Sequence, residues 1–445
     1  MAVKPDPGII RAILVAAVMA AGIARCSHAQ DDPLTRSRTM YQDAIAAYNE
    51  KDYGQYLRWV RDIDALRPNH PRVVYMLAGA YALNGDGEAA IATLERLASL
   101  GLVAEPADDP DFESIRDTEG FEAVLGRFAD NARPVGRSKK AFAIPGQRDF
   151  IPEGVAYDPV SGNFYVGSVY RRAIVEVRPE ESRAFGSWER GDGLWSVFAL
   201  GVDPARRVLW ACSSAIEQTK WLNENEVGYA GVFKYDLTSR LPVERFILSN
   251  KRGKHLFGDM ALSRAGDVYV ADGADRAIYR IGGTTGVFER WFDSDLFASP
   301  QGIDFSEDEK HLFVADYSYG VFRIDMRTRA IRLLTVPDDL TTLGIDGLAY
   351  YDNSLIVIQN GVRPHRVLRL TLNTKQNGIT DWEVLEANHP DFDEPTLGVV
   401  VPNPGRKTAS FFYVANSHWG AFDRDGKLRE TADLSPPVVL ELFLD

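Results

Sequence analysis

The sequence predicts a mainly β protein in which a six-bladed β-propeller follows a small α-helical repeat domain. Two periodicities lead to this fold class. A phrase of two short strands joined by a polar turn recurs six times in the C-terminal two thirds of the chain, whereas apolar residues recur at helical spacing before it. The length of 445 residues also exceeds what one hydrophobic core usually serves, so two structural units are expected.

The first 29 residues have the pattern of an export signal. Lys4 and Arg11 precede an apolar run over 12–24, and the small residues Ser27 and Ala29 stand where a signal peptidase cuts. The run is too short to span a bilayer. We therefore expect cleavage near Ala29, a periplasmic or secreted mature protein, and no membrane span.

Composition narrows the classes of partner. Hydrophobic residues make up 45% and charged residues 25% of the chain, as in ordinary globular proteins. The formal net charge of −13 and the lack of a basic block with interleaved aromatics argue against nucleic acid as a partner. Cys212 would be the one cysteine left after cleavage, and its apolar strand pattern VLWACSS predicts a buried, inert thiol without a disulfide.

Residues 30–131 are predicted to form a helical repeat module. A displacement of 34 positions aligns Asp52 with Asp86 and Val60 with Leu94. The second copy, MLAGAYALNGDGEAAIATLERLASLG, resembles the tetratricopeptide repeat family, and DPDFESIRDTEGFEAVLGRF adds short helices that could cap the stack. Because two repeats are few for an independent solenoid, we expect the module to lean on the propeller. It could serve packing alone or offer a concave surface to a protein partner.

A linker over 132–139 leads into the propeller, predicted over 140–445. The recurring phrase reads PEGVAYDPVSGNFYVGS, LGVDPARRVLWACSS, FGDMALSRAGDVYVADG, PQGIDFSEDEKHLFVADY, IDGLAYYDNSLIVIQNG and TLGVVVPNPGRKTASFFYVANSHW. Further strands follow each phrase, so that each unit has the four strands of a blade. The last blade offers only three strands. A strand over 141–144 can supply the fourth and close the ring, which removes two exposed edges.

The residue before the glycine of each phrase is expected to face the central channel. The innermost strand of every blade begins at the same face of a propeller, so these residues would form a ring at the channel mouth. They are Glu153, Leu200, Gly258, Gln301, Asp346 and Leu397. Three of the six carry side-chain oxygens, which makes the mouth a candidate ligand site.

The phrases PEGVAYDP, PQGIDF and IDGLAYYDN resemble the first, fourth and fifth blades of the senescence marker protein/gluconolactonase family of six-bladed propellers. The resemblance covers the whole predicted propeller. It implies a divalent cation, usually calcium, held by a Glu, an Asn and an Asp, and it gives that Asp the part of a base. The matching positions here are Glu153, Gln301 and Asp346, so the family's Asn is replaced by Gln.

These three residues suit metal-assisted hydrolysis. Two carboxylates and an amide form an all-oxygen site for Ca²⁺ or Mg²⁺ rather than zinc, and the longer Gln301 side chain is better tolerated by Ca²⁺. A metal there could polarise a lactone or ester carbonyl while Asp346 takes a proton from water. The prediction is a metal-dependent hydrolase of lactone- or ester-like small molecules. The alternative is a noncatalytic propeller and repeat scaffold that binds a protein or a cell-surface ligand.

Three further residues are candidates for substrate binding. Asp259 adjoins Gly258, where the family usually has a polar residue, and Asn416 and His418 end the matching strand of the sixth blade. His418 could contact a substrate or act as an acid or base. A hydrogen-bonded structural histidine is the competing interpretation.

Some features near the mouth have two interpretations. Asp272 and Asp316, which end the second strands of blades three and four, are more typical of turn caps than of a site. Trp419 could line a pocket or pack between blades. The long insertion over 215–230 could be a lid above the channel or a passive loop.

Overall fold

The computed structural model describes residues 33–178 and 181–445. The export signal predicted over 1–29 lies outside the described residues. Within the described part of the chain, no helix combines the length and the apolarity that are needed to cross a membrane.

The N-terminal module forms the two helical hairpins predicted from the repeats, followed by a cap. Its described helices are α1 (Pro33–Asn49), α2 (Tyr53–Leu66), α3 (Pro71–Leu83), α4 (Gly87–Ser99) and α5 (Glu119–Asn131), with a 3₁₀ helix, Pro110–Ile115, before α5. Asp52 and Asp86 cap α2 and α4, and each side chain accepts an N–H from the third residue after it. The aspartates aligned by the 34-residue period therefore cap the equivalent helix in each repeat.

The propeller has six antiparallel sheets of four strands, in the predicted order. Blade one is β2 (Pro152–Asp158), β3 (Asn163–Ser168), β4 (Ala173–Arg178) and β5 (Glu181–Ser187); blade two is β6 (Ser196–Asp203), β7 (Val208–Ser214), β8 (Ala230–Asp236) and β9 (Pro242–Leu248); blade three is β10 (Phe257–Leu262), β11 (Val268–Asp272), β12 (Ala277–Ile281) and β13 (Phe288–Asp293). Blade four is β14 (Pro300–Phe305), β15 (His311–Asp316), β16 (Gly320–Asp325) and β17 (Ile331–Leu333); blade five is β18 (Ile345–Tyr351), β19 (Ser354–Gln359), β20 (Arg366–Leu372) and β21 (Ile379–Ala387); blade six is β22 (Gly398–Pro402), β23 (Ala409–Val414) and β24 (Val438–Leu444), completed by β1 (Ser138–Ala143).

The ring closes as the sequence predicts. Strand β1 pairs antiparallel with β24, so the start of the propeller supplies the outer strand of blade six. A side chain of blade five holds the entry to β1, because Glu386 Oε2 accepts the backbone N–H of Arg137 at 2.8 Å and of Ser138 at 2.6 Å. Strand β1 thereby covers the outer edge of β24.

The glycine of the recurring phrase lets neighbouring innermost strands approach near the axis. A Cβ on Gly302 would lie 2.5 Å from the carbonyl oxygen of Asp346, and a Cβ on Gly347 would lie 2.4 Å from that of Thr396. Real Cβ atoms do not come so close to backbone oxygens. The repeated glycine therefore reflects close packing at the channel rather than a turn.

The helical module docks on the mouth face of the propeller beside blades four and five. The Arg67 guanidinium donates to the carbonyl of Ser318 at 2.8 Å, and the Val103 N–H donates to the carbonyl of Arg363 at 2.9 Å. Val362, from the loop after β19, is buried among the apolar side chains of the last helices. The expectation that the module leans on the propeller is confirmed.

Arg366 is the buried link between the two units. Its side chain, fully buried in β20, donates to the carbonyls of Leu100 and Gly101 at 3.0 and 3.1 Å, and to Gln359 Oε1 at 2.7 Å. Burial lowers the pKa of Arg366 to about 9. The end of α4 is thus fixed by a propeller side chain, with Trp382 packed 5.6 Å from the guanidinium.

Candidate functional site

The residues at the channel mouth lie in β-bulges. The pairing of the innermost strand with the second strand is interrupted at this level in blades one to five. The bulges contain Glu153, Phe198, Gly258, Gln301 and Asp346. Bulges often re-aim side chains, and here they mark the ring of residues that the phrases predicted.

The structure corrects that ring in two blades. A Cβ on Gly154 would meet the carbonyl oxygen of Phe198 at 2.3 Å, and the corresponding neighbour of Gly347 is Thr396. Phe198 and Thr396 therefore take the positions that the glycine rule assigned to Leu200 and Leu397. The rule fails there because blade two has Ala199 in place of the glycine, and because the sixth innermost strand begins without a bulge.

Glu153 of blade one is buried at the mouth, with 5% of its surface exposed. Its Oε2 accepts the indole N–H of Trp419 at 2.9 Å, and the Trp419 ring stacks on Phe198 with the centroids 6.2 Å apart. Burial raises the pKa of Glu153 well above its usual range and the charge of Asp346 raises it further, while hydrogen bonds from Trp419 and Ser417 oppose the shift. A buried carboxyl of this kind gains from a nearby cation.

Asp346 of blade five is held by an amide. Asn360, at the end of β19, donates from Nδ2 to Asp346 Oδ2 at 2.7 Å, and its Oδ1 accepts from the Tyr317 hydroxyl at 3.2 Å. Burial raises the pKa of Asp346 to about 6; the Asn360 hydrogen bond opposes this and the charge of Glu394 adds to it. Asp346 can therefore exchange a proton near neutral pH.

Gln301 faces the mouth but turns toward blade three. Its Oε1 lies 2.5 Å from the point that a Cβ on Gly258 would occupy, and its Nε2 donates to Ser299 Oγ at 3.1 Å. The missing side chain at Gly258 thus makes room for the amide of Gln301. The charge of Asp346 acts directly on the pKa of Glu153, whereas the Gln301 amide lies in the space beside Gly258.

Glu394 is a third carboxylate at the mouth, which the sequence reasoning missed. Its charge raises the pKa of both Glu153 and Asp346, and its Oε2 accepts the N–H of Gly420 at 2.8 Å. The residue has a left-handed backbone (φ 60°), which aims the side chain from the loop that enters blade six. The acidic pair in DFDEPTLG, just before the sixth phrase, was the available signal.

Asp259 lies in the channel below the ring, where it joins two blades. Its Oδ1 accepts the N–H of Met260 at 2.8 Å, and its Oδ2 accepts the N–H of Ile303 in blade four at 3.1 Å. Burial raises its pKa well above the usual range, against these two hydrogen bonds. These hydrogen bonds give Asp259 a structural role in joining blades three and four. Its contact with a substrate stays a prediction.

Asn416 and His418 belong to one hydrogen-bond network in blade six. Asn416 Oδ1 accepts the N–H of Val438 at 2.7 Å, and its Nδ2 donates to Ser435 Oγ at 2.8 Å and to the Pro436 carbonyl at 2.9 Å. Its amide is thus used in fixing the loop before β24. His418 lies between Ser435 and Asp393.

The aspartates that end the second strands are turn caps, as predicted. Asp316 accepts backbone N–H groups on both sides of its strand end, for example from Ala298 at 2.7 Å and Ser318 at 3.0 Å. Asp272 does the same in blade three.

Near Asp272 lies a cluster of acidic residues and a histidine, in which neighbouring side chains already donate hydrogen bonds to the carboxylates. Among the described residues, His255, Asp272 and Asp275 place ligand atoms within 4.8 Å of one another. Asp275 Oδ2, however, already accepts from the Tyr279 hydroxyl at 2.7 Å and from Arg290 Nε at 2.9 Å.

The insertion over 215–230 lies on the mouth face and is packed there. Ile216 joins an apolar cluster with Phe198 and Phe422, and Thr219 Oγ1 lies 2.7 Å from Ser196 Oγ. The Lys220 ammonium lies over the Tyr170 ring of blade one at 5.1 Å. The loop thus walls the apolar side of the mouth, opposite Gln301 and Asp346.

No protein-family model and no curated protein matches the sequence. Solved structures do match the propeller. They include the calcium-binding protein regucalcin from Agrobacterium tumefaciens (14% identity, 69% of this chain and 93% of that chain, TM-score 0.46), a luciferin-regenerating enzyme (14%, 70% and 96%, 0.47) and a structure solved as a proposed gluconolactonase (12%, 69% and 92%, 0.44). Proteins of the kind that the sequence phrases resemble are thus among its structural neighbours. At these identities the likeness concerns the fold.

Proposed function

We propose that this chain is a divalent-metal-dependent hydrolase of lactone- or ester-like small molecules, with Glu153, Gln301 and Asp346 around the cation. One observation carries the proposal: at the channel mouth, the charge of Asp346 raises the pKa of the buried Glu153 carboxyl, which burial has already raised. A cation between them would offset both the burial and the repulsion.

The donor set fits calcium. Two carboxylates and an amide oxygen are hard ligands, and Ca²⁺ accepts flexible shells completed by water. To bind the same cation, Gln301 would have to turn its Oε1 away from the space beside Gly258 and toward Asp346. Glu394 would add negative charge to the site without being needed as a ligand.

The chain's own residues supply the rest of the chemistry. A bound cation would polarise the substrate carbonyl. Asp346, whose pKa is raised to about 6, would take the proton of the attacking water, and Asn360 would hold its second oxygen in place. Trp419 and Phe198 would pack against the apolar part of the substrate.

Turnover of sugar lactones and aryl esters tests this proposal. Protein spanning 30–445 is treated with EDTA, assayed, and assayed again after addition of Ca²⁺. Turnover that appears only with the metal and is lost in Asp346→Asn, but is kept in the exposed control Asp108→Asn, would support it. A protein with no metal-dependent turnover in any form would instead favour the noncatalytic scaffold, with the helical repeats binding a protein partner.

The cellular location is part of the proposal. A mature chain that begins near residue 30 would work in the periplasm or outside the cell, where calcium is available to a site of moderate affinity. Mass analysis of the N-terminus of protein secreted by its host tests the predicted cleavage after Ala29.

A further inference from the structure

A second polar site lies on the mouth face, in blade six. A cleft of about 190 Å³ is lined by Asp393, His418, Gly420, Arg429 and Leu434, among others. The cleft belongs to the long loop between β23 and β24 and to the loop that enters blade six.

A serine, a histidine and an aspartate follow one another across this site. His418 Nδ1 lies 2.5 Å from Asp393 Oδ2, and His418 Nε2 lies 3.2 Å from Ser435 Oγ and 3.1 Å from Asn416 Nδ2. The two amide hydrogens of Asn416 have shorter acceptors in Ser435 Oγ and the Pro436 carbonyl, at 2.8 and 2.9 Å. With the imidazole proton on Nδ1, His418 therefore donates to Asp393 and accepts from the Ser435 hydroxyl on Nε2. This is the tautomer that a histidine base needs in order to take a proton from serine.

The backbone holds the three residues in register. The His418 N–H donates to the Asp393 carbonyl at 3.1 Å, and the Asp393 N–H donates to the Ala415 carbonyl at 3.0 Å. Asn416 fixes Ser435 by donating to its Oγ at 2.8 Å. His418 has a left-handed backbone (φ 51°), a conformation that residues with a side chain adopt mainly when their surroundings impose it.

The histidine is shielded and the serine is accessible. His418 is buried, with 4% of its surface exposed, whereas Ser435 is open to solvent and follows Leu434, which lines the cleft. The Asp393 side chain is about half exposed, so it faces both His418 and solvent. The base is therefore shielded and the nucleophile is accessible. The hydrogen bond from Asn416 also favours the serine alkoxide over the hydroxyl.

This site is distinct from the channel site, although the same loops serve both. Within each loop, adjacent residues face different ways: Trp419 bonds Glu153 and Glu394 acts on Asp346 at the channel, while His418 and Asp393 line the cleft. The geometry of the cleft involves no residue of the proposed metal site.

We propose that Ser435, His418 and Asp393 form a metal-independent nucleophilic centre for short-chain carboxylic esters. Ser435 Oγ attacks the ester carbonyl while its proton passes to His418 Nε2. The bond to the alcohol breaks, and the alcohol leaves with that proton. Water, deprotonated by His418, then releases the acid from Ser435 and restores the hydroxyl.

The cleft sets the substrate class. A volume of about 190 Å³ admits a small acyl group rather than a long chain. The exposed guanidinium of Arg429 lies on the cleft wall and can bind a carboxylate or the oxyanion that develops on the ester.

Covalent labelling tests this proposal. EDTA-treated protein is incubated with a fluorophosphonate reagent, in which Ser435 Oγ would replace fluoride on phosphorus, and the modified residue is located by peptide mass mapping. One label per chain at Ser435 is expected, with loss in Ser435→Ala and at least a tenfold slower reaction in Asp393→Asn. Ser161→Ala removes another exposed serine that bonds an aspartate, and it should label like the wild type.

The rate of aryl acetate hydrolysis in EDTA should rank the variants as labelling does: Ser161→Ala like the wild type, Asp393→Asn slower, and Ser435→Ala inactive. Melting temperatures within a few degrees of the wild type show that a variant has folded. The proposal would be overturned if folded wild-type protein gained no label at Ser435, or if the Asp393→Asn variant were labelled as fast as the wild type. The three residues would then form a structural hydrogen-bond network. The two sites separate cleanly, since Asp346→Asn removes metal-dependent turnover and leaves labelling of Ser435 intact.

Discussion

Glu153 in blade one and Asp346 in blade five have blades two, three and four between them in the sequence, yet the Asp346 carboxylate raises the pKa of Glu153 across the channel mouth. Both groups are disfavoured in their charged forms, since burial raises the pKa of Asp346 to about 6 as well. A cation bound beside them would favour the charged forms of both carboxyls.

The pH dependence of stability follows from these pKa values. Because the folded-state pKa of Asp346 lies above its unfolded value, the folded protein binds more protons between the two, and stability falls as pH rises through about 6. A shift of this size corresponds to about 3 kcal/mol. In EDTA, the free energy of unfolding should decrease from pH 4.5 to pH 8, as urea denaturation can measure.

The variant Asp346→Asn isolates this contribution. Its unfolding free energy should fall less steeply with pH than that of the wild type, because the remaining slope then comes from the other channel carboxyls, such as Asp304, whose pKa burial also raises to about 6. Parallel pH curves for the two proteins would show that Asp346 ionises normally.

Trp419→Phe should weaken metal binding without unfolding the mouth. Phenylalanine keeps a ring against Phe198 but removes the indole N–H that holds Glu153 Oε2. The pKa of Glu153 then rises further, so that the calcium affinity at pH 7 should drop about tenfold, by one lost charged hydrogen bond. Affinity is measured by calorimetry, with Trp221→Phe as the control, since Trp221 is 57% exposed. Equal losses in both variants would rule out a specific role for Trp419.

Gly302→Ala should destabilise the propeller. Its new methyl group would meet the Asp346 carbonyl oxygen at 2.5 Å, so the innermost strands of blades four and five must separate. We expect a loss of about 1–3 kcal/mol in unfolding free energy. Gly126→Ala in α5 meets nothing within 4 Å and should instead stabilise the protein by about 0.5–1 kcal/mol, because alanine favours a helix. A neutral Gly302→Ala would refute the close-approach explanation of the phrase.

Arg366→Met should loosen the helical module from the propeller. The carbonyls of Leu100 and Gly101 and the amide oxygen of Gln359 would lose their donor, which we expect to cost about 1–3 kcal/mol. Limited proteolysis should then cut the segment over 132–139 faster than in the wild type. Arg369→Met, in the same strand but paired with Asp445 near the surface, is the matched control. Cleavage at an unchanged rate in Arg366→Met would mean that other contacts hold the module.

The sequence was sufficient for the fold because its signals are periodic. The phrase occurs once in each of the six blades, and the 34-residue period occurs in both helical hairpins, so each structural unit is predicted from several copies. The incomplete last blade and the unassigned first strand predicted that β1 closes the ring. The glycines near the axis were read correctly as markers of the channel, although their physical reason, the approach of neighbouring strands, needed coordinates.

The site was predictable only where it obeys the repeat. Glu153, Gln301 and Asp346 occupy the phrase position, so periodicity was enough to predict that they lie at the channel mouth, while their role as metal ligands stays a prediction. Phe198 was missed because its blade lacks the glycine, and Glu394 because a left-handed residue in an irregular loop aims it, which no periodic pattern reports. Ser435 and Asp393 meet through loops of unrelated sequence, so their relation to His418 exists only in three dimensions.

Calcium titration of EDTA-treated protein by isothermal calorimetry tests the central claim most directly. At pH 7.5 the account predicts one bound Ca²⁺ per chain, a higher melting temperature in its presence, and loss of both effects in Asp346→Asn while Asp108→Asn behaves like the wild type. Folded wild-type protein that binds no divalent cation, or an Asp346→Asn variant that binds calcium with unchanged affinity, would contradict it.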